Sequence, residues 1–265
     1  MKVMSFNART SSLPDKKHGW GKRRQLVIDV VKKYQPDIVG FQEVQRDQLD
    51  DLVAGLDGYG CHHQGWQDVE YKQELLPIFF LKKRVSIAKA GAFWLNQTPD
   101  VPRIDEGGGE VLRACSWIHA KVSDAGGKGR AFAVYHAHFD HQKEQRREAS
   151  AKLILERMAA QSRGLPVILF GDLNTRPGST TYNILLGRLR DAFIDSPTPR
   201  AIDDITCHCF TGAMKKAWYR SSLQWIDHIL MDKDVTCVQS SRIMDSGGDP
   251  RIYPSDHYPV LAELL

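Results

Sequence analysis

Residues 166–174 read Pro166-Val167-Ile168-Leu169-Phe170-Gly171-Asp172-Leu173-Asn174. An apolar run between a proline and a Gly-Asp pair predicts a short buried strand. The aspartate that ends it stands where a charge is costly unless it is paired or metal-bound. The same construction recurs along the chain. Lys2 to Asn7 reads as a strand closing in Ser5-Phe6-Asn7, and Asp37 to Gln42, with Ile38, Val39 and Phe41, delivers Glu43. Ala131 to His138 closes in His136-Ala137-His138-Phe139-Asp140. Trp225-Ile226-Asp227-His228 sets a carboxylate among apolar residues, and Ser255-Asp256-His257 supplies another acid and an imidazole. Side chains gathered from many strand ends are how a rigid sheet presents chemistry at one rim.

The chain has 265 residues, 42% apolar and 26% charged, which fits an ordinary globular protein with a substantial core. One domain spanning 1–265 is expected, since no repeat, low-complexity tract or linker interrupts it. No apolar run approaches the roughly 20 residues of a membrane helix. Met1-Lys2-Val3 runs into a strand rather than a signal peptide. The five cysteines, Cys61, Cys115, Cys207, Cys209 and Cys237, are odd in number and irregularly spaced. They argue against a disulfide framework and for a reducing, cytoplasmic setting. Cys207-His208-Cys209 is read as alternating residues of a strand or loop rather than a zinc fragment, because no matching cysteine pair stands elsewhere. The net charge of +4 gives only a weak lean toward anionic substrates. Nothing points to an obligate protein partner.

Helices are expected at Lys22 to Tyr34, at Arg46 to Gly55, at Gln142 to Gln161 and, capped by Ser179, at Thr180 to Leu186. Further strands are expected at Pro77 to Leu81, Ser86 to Trp94, Cys115 to Val122, Leu223 to Met231, Val235 to Ile243 and Pro259 to Leu264. Early βαβ-like units followed by paired strands predict an α/β protein: two mixed sheets packed as a sandwich, helices outside. Glu43, Asp172 and Asp227 with the amides of Asn7 and Asn174 form an all-oxygen donor set suited to Mg2+, with Mn2+ as a substitute.

Taken in order, these segments resemble the endonuclease/exonuclease/phosphatase superfamily with its deoxyribonuclease I-like, four-layer fold. The likeness runs from Met4-Ser5-Phe6-Asn7 to Ser255-Asp256-His257-Tyr258-Pro259-Val260. Gly171-Asp172-Leu173-Asn174 with Pro177, Ser179 and Tyr182 is a specific match. Gly91-Ala92-Phe93-Trp94-Leu95-Asn96-Gln97-Thr98-Pro99 and the set Thr206, His208, Phe210 resemble the bacterial members. The resemblance implies a metal-dependent phosphoric ester hydrolase. Glu43 would be the main metal ligand, helped by Asn7 and Asp256. Asp172 would orient or deprotonate the attacking water, and Asn174 would hold a phosphoryl oxygen. His257 would contact the phosphate, its tautomer fixed by Asp227, and His138 would bind phosphate or donate a proton. Three departures stand out: His136 where Asn or a small residue is usual, Gln224-Trp225 where an arginine is frequent, and a short, Gly-rich Pro102 to Leu112. Arg113 keeps the family's arginine in the strand that follows.

Substrate choice is expected in three loops, Arg9 to Lys22, Cys61 to Glu74 and Pro197 to Leu223. Arg9, Lys16, Lys17, Lys22, Arg23 and Arg24 in or beside the first, with Lys215, Lys216, Trp218, Tyr219 and Arg220 in the third, pair charge for phosphates with rings for bases. Trp66 of the second loop could stack on a base or a sugar, and Arg113 could meet a phosphate. A nuclease acting on DNA or RNA is therefore expected. The modest charge keeps open a small phosphorylated substrate: a phospholipid head group, a sugar or inositol phosphate, or a nucleotide.

Overall fold

The computed structural model describes residues 1–63, 74–101, 112–124, 126–198, 204–212, 224–245 and 252–265. Among them the first half runs β1 (Lys2–Asn7), α1 (Trp20–Tyr34), β2 (Ile38–Gln42), α2 (Arg46–Gly55), β3 (Tyr59–His62), β4 (Ile78–Leu81), β5 (Val85–Trp94), β6 (Ala114–Ser123) and β7 (Gly129–His138). The second half runs α3 (Glu144–Gln161), β8 (Val167–Asp172), α4 (Thr180–Leu186), β9 (Arg190–Asp191), α5 (Ala192–Asp195), β10 (Asp227–Met231), β11 (Cys237–Arg242) and β12 (Val260–Leu264). The strands form two six-stranded mixed sheets, ordered β11-β12-β1-β2-β4-β3 and β5-β6-β7-β8-β10-β9.

Successive residues of a strand face opposite ways, so a continuous apolar run feeds two cores. In β1 and β2, Val3 and Ile38 point inward to meet Ile168, Phe170 and Ile229 of the second sheet. Their neighbours Met4, Phe6, Val39 and Phe41 point outward, under Val27 and Val31 of α1 and Leu49 and Leu52 of α2. In β8, Val167 and Leu169 turn out beneath Ile154 and Met158 of α3 and Leu185 of α4. The expected α/β sandwich is thus present as four layers: helices, sheet, sheet, helices. Each fully buried side chain of this size contributes about 1.5–3 kcal/mol of apolar transfer.

Most boundaries fall where the sequence places them, and the exceptions have local causes. The expected helix at Gln142 begins instead at Glu144, because Asp140 Oδ1 captures the Gln142 and Lys143 N–H groups (2.7 and 2.6 Å) in a turn before it. Ser179 does cap α4, its Oγ accepting from Tyr182 N at 3.2 Å. The edge strand β3 and the two-residue β9 were not expected, being too short for a periodic signal.

Two glycines mark close approaches, Gly171 to the neighbouring strand of its own sheet and Gly40 to the opposite sheet. Gly171 has φ +147°, and a Cβ there would lie 1.9 Å from Ala137 O on β7. Gly40 faces the second sheet, where a Cβ would meet the Phe170 ring at 2.5 Å and the His136 ring at 2.7 Å. The unusual His136 therefore fills the space between the sheets. It stacks on Phe170 with ring centroids 4.9 Å apart and pairs through Nε2 with the Gln42 amide.

Burial pushes His136 down to about 3, so it is neutral in the fold but charges readily once unfolded. Its stabilising effect is complete above pH 6.5 and is lost as pH falls toward 3, a difference of about 5 kcal/mol at most. Replacing His136 by Asn should flatten the loss of unfolding free energy across this window, as measured by urea titrations at several pH values. An unchanged slope would show that His136 does not set acid stability.

Candidate active site

The register of the second sheet puts three expected residues in one row: His138 pairs with Asp172 across β7 and β8, and Asp172 with Asp227 across β8 and β10. In the first sheet, Asn7 ends β1 opposite Gln42, and Glu43 follows. Because β12 runs antiparallel to β1, with Ser5 opposite Val260, the segment carrying Asp256 and His257 returns to the same rim. Two sheet edges therefore converge on one point, although their residues lie up to 250 positions apart in sequence (257 minus 7).

Asn7 joins the two edges. Its Nδ2 donates to Glu43 Oε1 and to Asp172 Oδ2, both at 3.0 Å, while its Oδ1 accepts from Arg9 N at 2.9 Å. Asp172 is buried and also accepts from Asn174 N at 3.0 Å. Around its Oδ2 stand His138 Nε2 at 3.6 Å and His257 Nε2 at 4.0 Å. Asn174 donates its side-chain amide to Phe139 O at 3.1 Å, so a phosphoryl oxygen would meet the second N–H of that amide. Arg9, Glu43 and Asn174 have φ of 55°, 60° and 46°, a region few non-glycine residues occupy. Strained backbone held at a cluster of polar side chains is a mark of a functional site.

The histidines differ in their surroundings. His257 Nδ1 lies 2.8 Å from Asp227 Oδ2. Burial opposes its charge, but Cys207 and Asp227 outweigh that and raise its pKa well above the ordinary value. His138 receives an N–H from Arg113 Nη1 at its Nδ1 (2.6 Å), and Arg113 Nη1 also donates to Glu74 at 3.0 Å. Burial works to raise Glu74, yet the neighbouring His138 and the charges of Arg113 and His141 bring it down to about 2. Arg113 is thus neutralised by Glu74 and positions His138. Asp256 is ion-paired to Arg9 at 3.3 Å, and burial pushes it up to about 6. Arg9 is shared with Asp15 at 3.0 Å.

One charged residue of the expected basic surface has another role. Arg23 is fully buried and cannot reach a substrate. Its guanidinium donates to the carbonyls of Ala8 (2.8 Å), Pro254 (2.7 Å), Arg9 (3.0 Å) and His18. It clamps the loop after β1 to the loop bearing His257. Trp66, Trp218, Lys215, Lys216, Tyr219 and Arg220 lie outside the described residues.

Glu43, His138, Asp172, Asn174, Asp256 and His257 line a cavity of about 710 Å³ that Arg113, His141, Arg147 and Arg176 also line among the described residues. Sequence reasoning missed Glu74, His141, Arg147 and Arg176, which have no periodic or motif signal, and it read Cys207 and Cys209 as ordinary loop residues although both line the cavity. Their spacing of two, which directs side chains to one side of an extended segment, was the available signal. Single ligand atoms of Glu43, His138 and Asp172 lie within 4.8 Å of one another, as do those of Asp172, Asp227 and His257. Carboxylate oxygens dominate this donor set, with an amide beside them, which suits a hard divalent cation.

The Endonuclease/Exonuclease/phosphatase family model matches residues 4–257. The chain belongs to this family. Members of this family are hydrolases of phosphoric esters. A solved endonuclease/exonuclease/phosphatase family protein from Bacteroides thetaiotaomicron is 29% identical with a TM-score of 0.85, covering 100% of this chain and 97% of its own. A mannosyl-6-phosphatase from Bacteroides thetaiotaomicron is 28% identical with a TM-score of 0.83, over 100% and 99% of the two chains. Among curated relatives, an uncharacterized protein of Acanthamoeba polyphaga mimivirus, L388, is 26% identical over 168 residues. That match takes in 59% of each chain, so the likeness spans little more than half the relative's length. The site brings acids that could hold a metal ion and two histidines to a single rim.

Two outcomes check this geometry. Asp227→Asn should lower the His257 pKa, read from the imidazole signals in a pH titration by NMR, and an unmoved midpoint would separate the pair. Arg23→Met strands four carbonyls and should cost ~3 kcal/mol or more in chemical denaturation. A loss below about 1 kcal/mol would remove its role as the clamp.

Proposed function

We propose that this enzyme is a Mg2+-dependent phosphoesterase acting on a small phosphorylated molecule, with a sugar phosphate as the leading class, in the cytoplasm. The observation that carries the substrate reading is the cavity. Its volume of about 710 Å³ suits one small ligand, and an acidic floor lies beneath walls that bear arginines. The full-length likeness to a mannosyl-6-phosphatase supports the same class. The nuclease reading drew on the basic and aromatic third loop, outside the described residues, and on a first loop from which Arg23 is now withdrawn. The free, sparse cysteines and the lack of any helix long and apolar enough to cross a membrane among the described residues agree with a cytoplasmic setting.

Glu43 and Asp172 would hold the cation, with Asn7 keeping the two carboxylates together and Asp256 adding negative charge beside Glu43. A bound divalent ion would supply neutralisation of phosphoryl oxygens and activation of the ester. Asp172, flanked by both histidines, is placed to orient a water and accept its proton. His257, charged and locked by Asp227, is placed to donate to a phosphoryl oxygen as negative charge builds. His138, backed by Arg113 and Glu74, faces the same point and can donate a proton to the departing oxygen. Asn174 offers an amide N–H to the phosphoryl group.

A panel of sugar, inositol and nucleoside phosphates, head-group phosphodiesters and labelled oligonucleotides, assayed with and without Mg2+, tests the proposal. Phosphate release from small esters with oligonucleotides intact is the expected result, whereas cleavage of oligonucleotides alone would overturn the substrate class and select the nuclease. Asp172→Asn should lower turnover by about 10²- to 10⁴-fold with the fold retained by circular dichroism. Glu43→Gln should raise the Mg2+ concentration for half-maximal activity roughly tenfold or more. Activity near the parent level in either variant would dismantle the site assignment.

A further inference from the structure

Cys207 and Cys209 stand on the wall of the catalytic cavity, half-buried, with Sγ atoms 3.8 Å apart. The sulfurs are in van der Waals contact. Cys207 also hydrogen-bonds His257, to which its backbone is bridged. The segment is pinned from several sides. His208 N and Cys209 N both donate to Asp256 O (2.8 and 3.0 Å), Cys207 N donates to Gln224 O (3.0 Å), and Phe210 stacks on His18 with centroids 4.2 Å apart.

This pinning holds Cys209 at φ 50°, a left-handed conformation that glycine adopts freely and other residues adopt only under strain. A glycine would fill the turn with less strain. What cysteine adds there is a thiol against a second thiol, and the strained backbone is what aims it. Two thiols already in contact need only a small approach to reach the roughly 2 Å of an S–S bond. Cys115 and Cys237 are buried, and Cys61 lies away on the edge strand β3.

We propose that Cys207 and Cys209 are an oxidative modification site: a peroxide converts the pair reversibly to an intrachain disulfide at the cavity wall, withdrawing Cys207 from His257. The Cys207 sulfur attacks one peroxide oxygen. The O–O bond breaks, hydroxide leaves, and a sulfenic acid remains. The Cys209 sulfur then attacks the Cys207 sulfur, the S–O bond breaks, and a second hydroxide leaves. Both hydroxides take up the thiol protons, so two thiols and one peroxide give one disulfide and two waters. A dithiol reductant returns the two electrons and two protons.

The test uses the full chain and hydrogen peroxide, with mass spectrometry and NMR as readouts that need no substrate. The expected result is a mass loss of two hydrogens per chain, mapped to a Cys207–Cys209 link, with a shift of the His257 imidazole signals, both reversed by dithiothreitol. Cys209→Gly, suited to the left-handed backbone, should fold and should gain one oxygen on Cys207, trapped by dimedone as the sulfenic acid. Overturning results are retention of both thiols to alkylation after peroxide, a link formed by another pair, a link that leaves the His257 signals unmoved, or a Cys209→Gly protein that folds but gives no dimedone adduct on Cys207.

Discussion

The molecule turns on one buried carboxylate. Asp172 sits at the end of a strand inside a two-sheet sandwich, at 2% exposure, where an unpartnered charge costs several kcal/mol. What surrounds it offsets that cost: the Asn7 amide from the opposite sheet, the Asn174 backbone N–H and two histidines. These are also the groups that could bind a cation and a phosphate. Stability and chemistry draw on the same contacts here, so the rim is both a seam between sheets and a site. The seam is narrow because Gly40 admits close approach, and His136 and Phe170 occupy what remains.

Strain is concentrated there as well. Of the eight non-glycine residues with positive φ among the described residues, Arg9, Glu43, Asn174 and Cys209 line the cavity. Arg23 explains how so many left-handed residues persist together. Its guanidinium ties the loop after β1 and the loop before β12 through backbone carbonyls, fixing the chain on both sides of Glu43 and His257 without entering the cavity. Burial lowers Arg23 to about 10, still far above neutral pH, so the clamp stays charged.

The fold was legible because its signal is periodic and local. Apolar runs such as Val167 to Phe170 and Ile38 to Phe41 needed only their length and their terminating residues to be read as strands. The acids and histidines at their ends were legible for the same reason, as costly groups placed after buried runs. Glu74, His141 and Arg176 escaped, since nothing in the sequence says which surface residue folds back over a cavity. Arg23 was misread because a basic helix face looks solvated until the loops that consume its donors are in place. Cys207 and Cys209 were dismissed on a ligand-counting argument that asked only about zinc and not about two sulfurs meeting each other.

The distribution of charge bears on what a bound cation would do at this site. Glu43, Asp172 and Asp256 line the cavity with Asp227 beside Asp172, and Asp256 is held near 6 by burial with Glu43 and Cys207 adding to the rise. A phosphate dianion approaching these four acids alone would be repelled. The cavity walls also carry Arg113, Arg147 and Arg176, which can attract the anion toward the rim, but Glu74 and Glu144 already answer two of these arginines. A divalent ion bound between Glu43 and Asp172 would neutralise those two carboxylates and turn the repulsive floor into a seat for phosphoryl oxygens. His257, kept charged against its own burial by Asp227 and Cys207, supplies the second positive group on the far side of Asp172. The acids that are costly to bury together at the rim are therefore also the groups that would hold a cation.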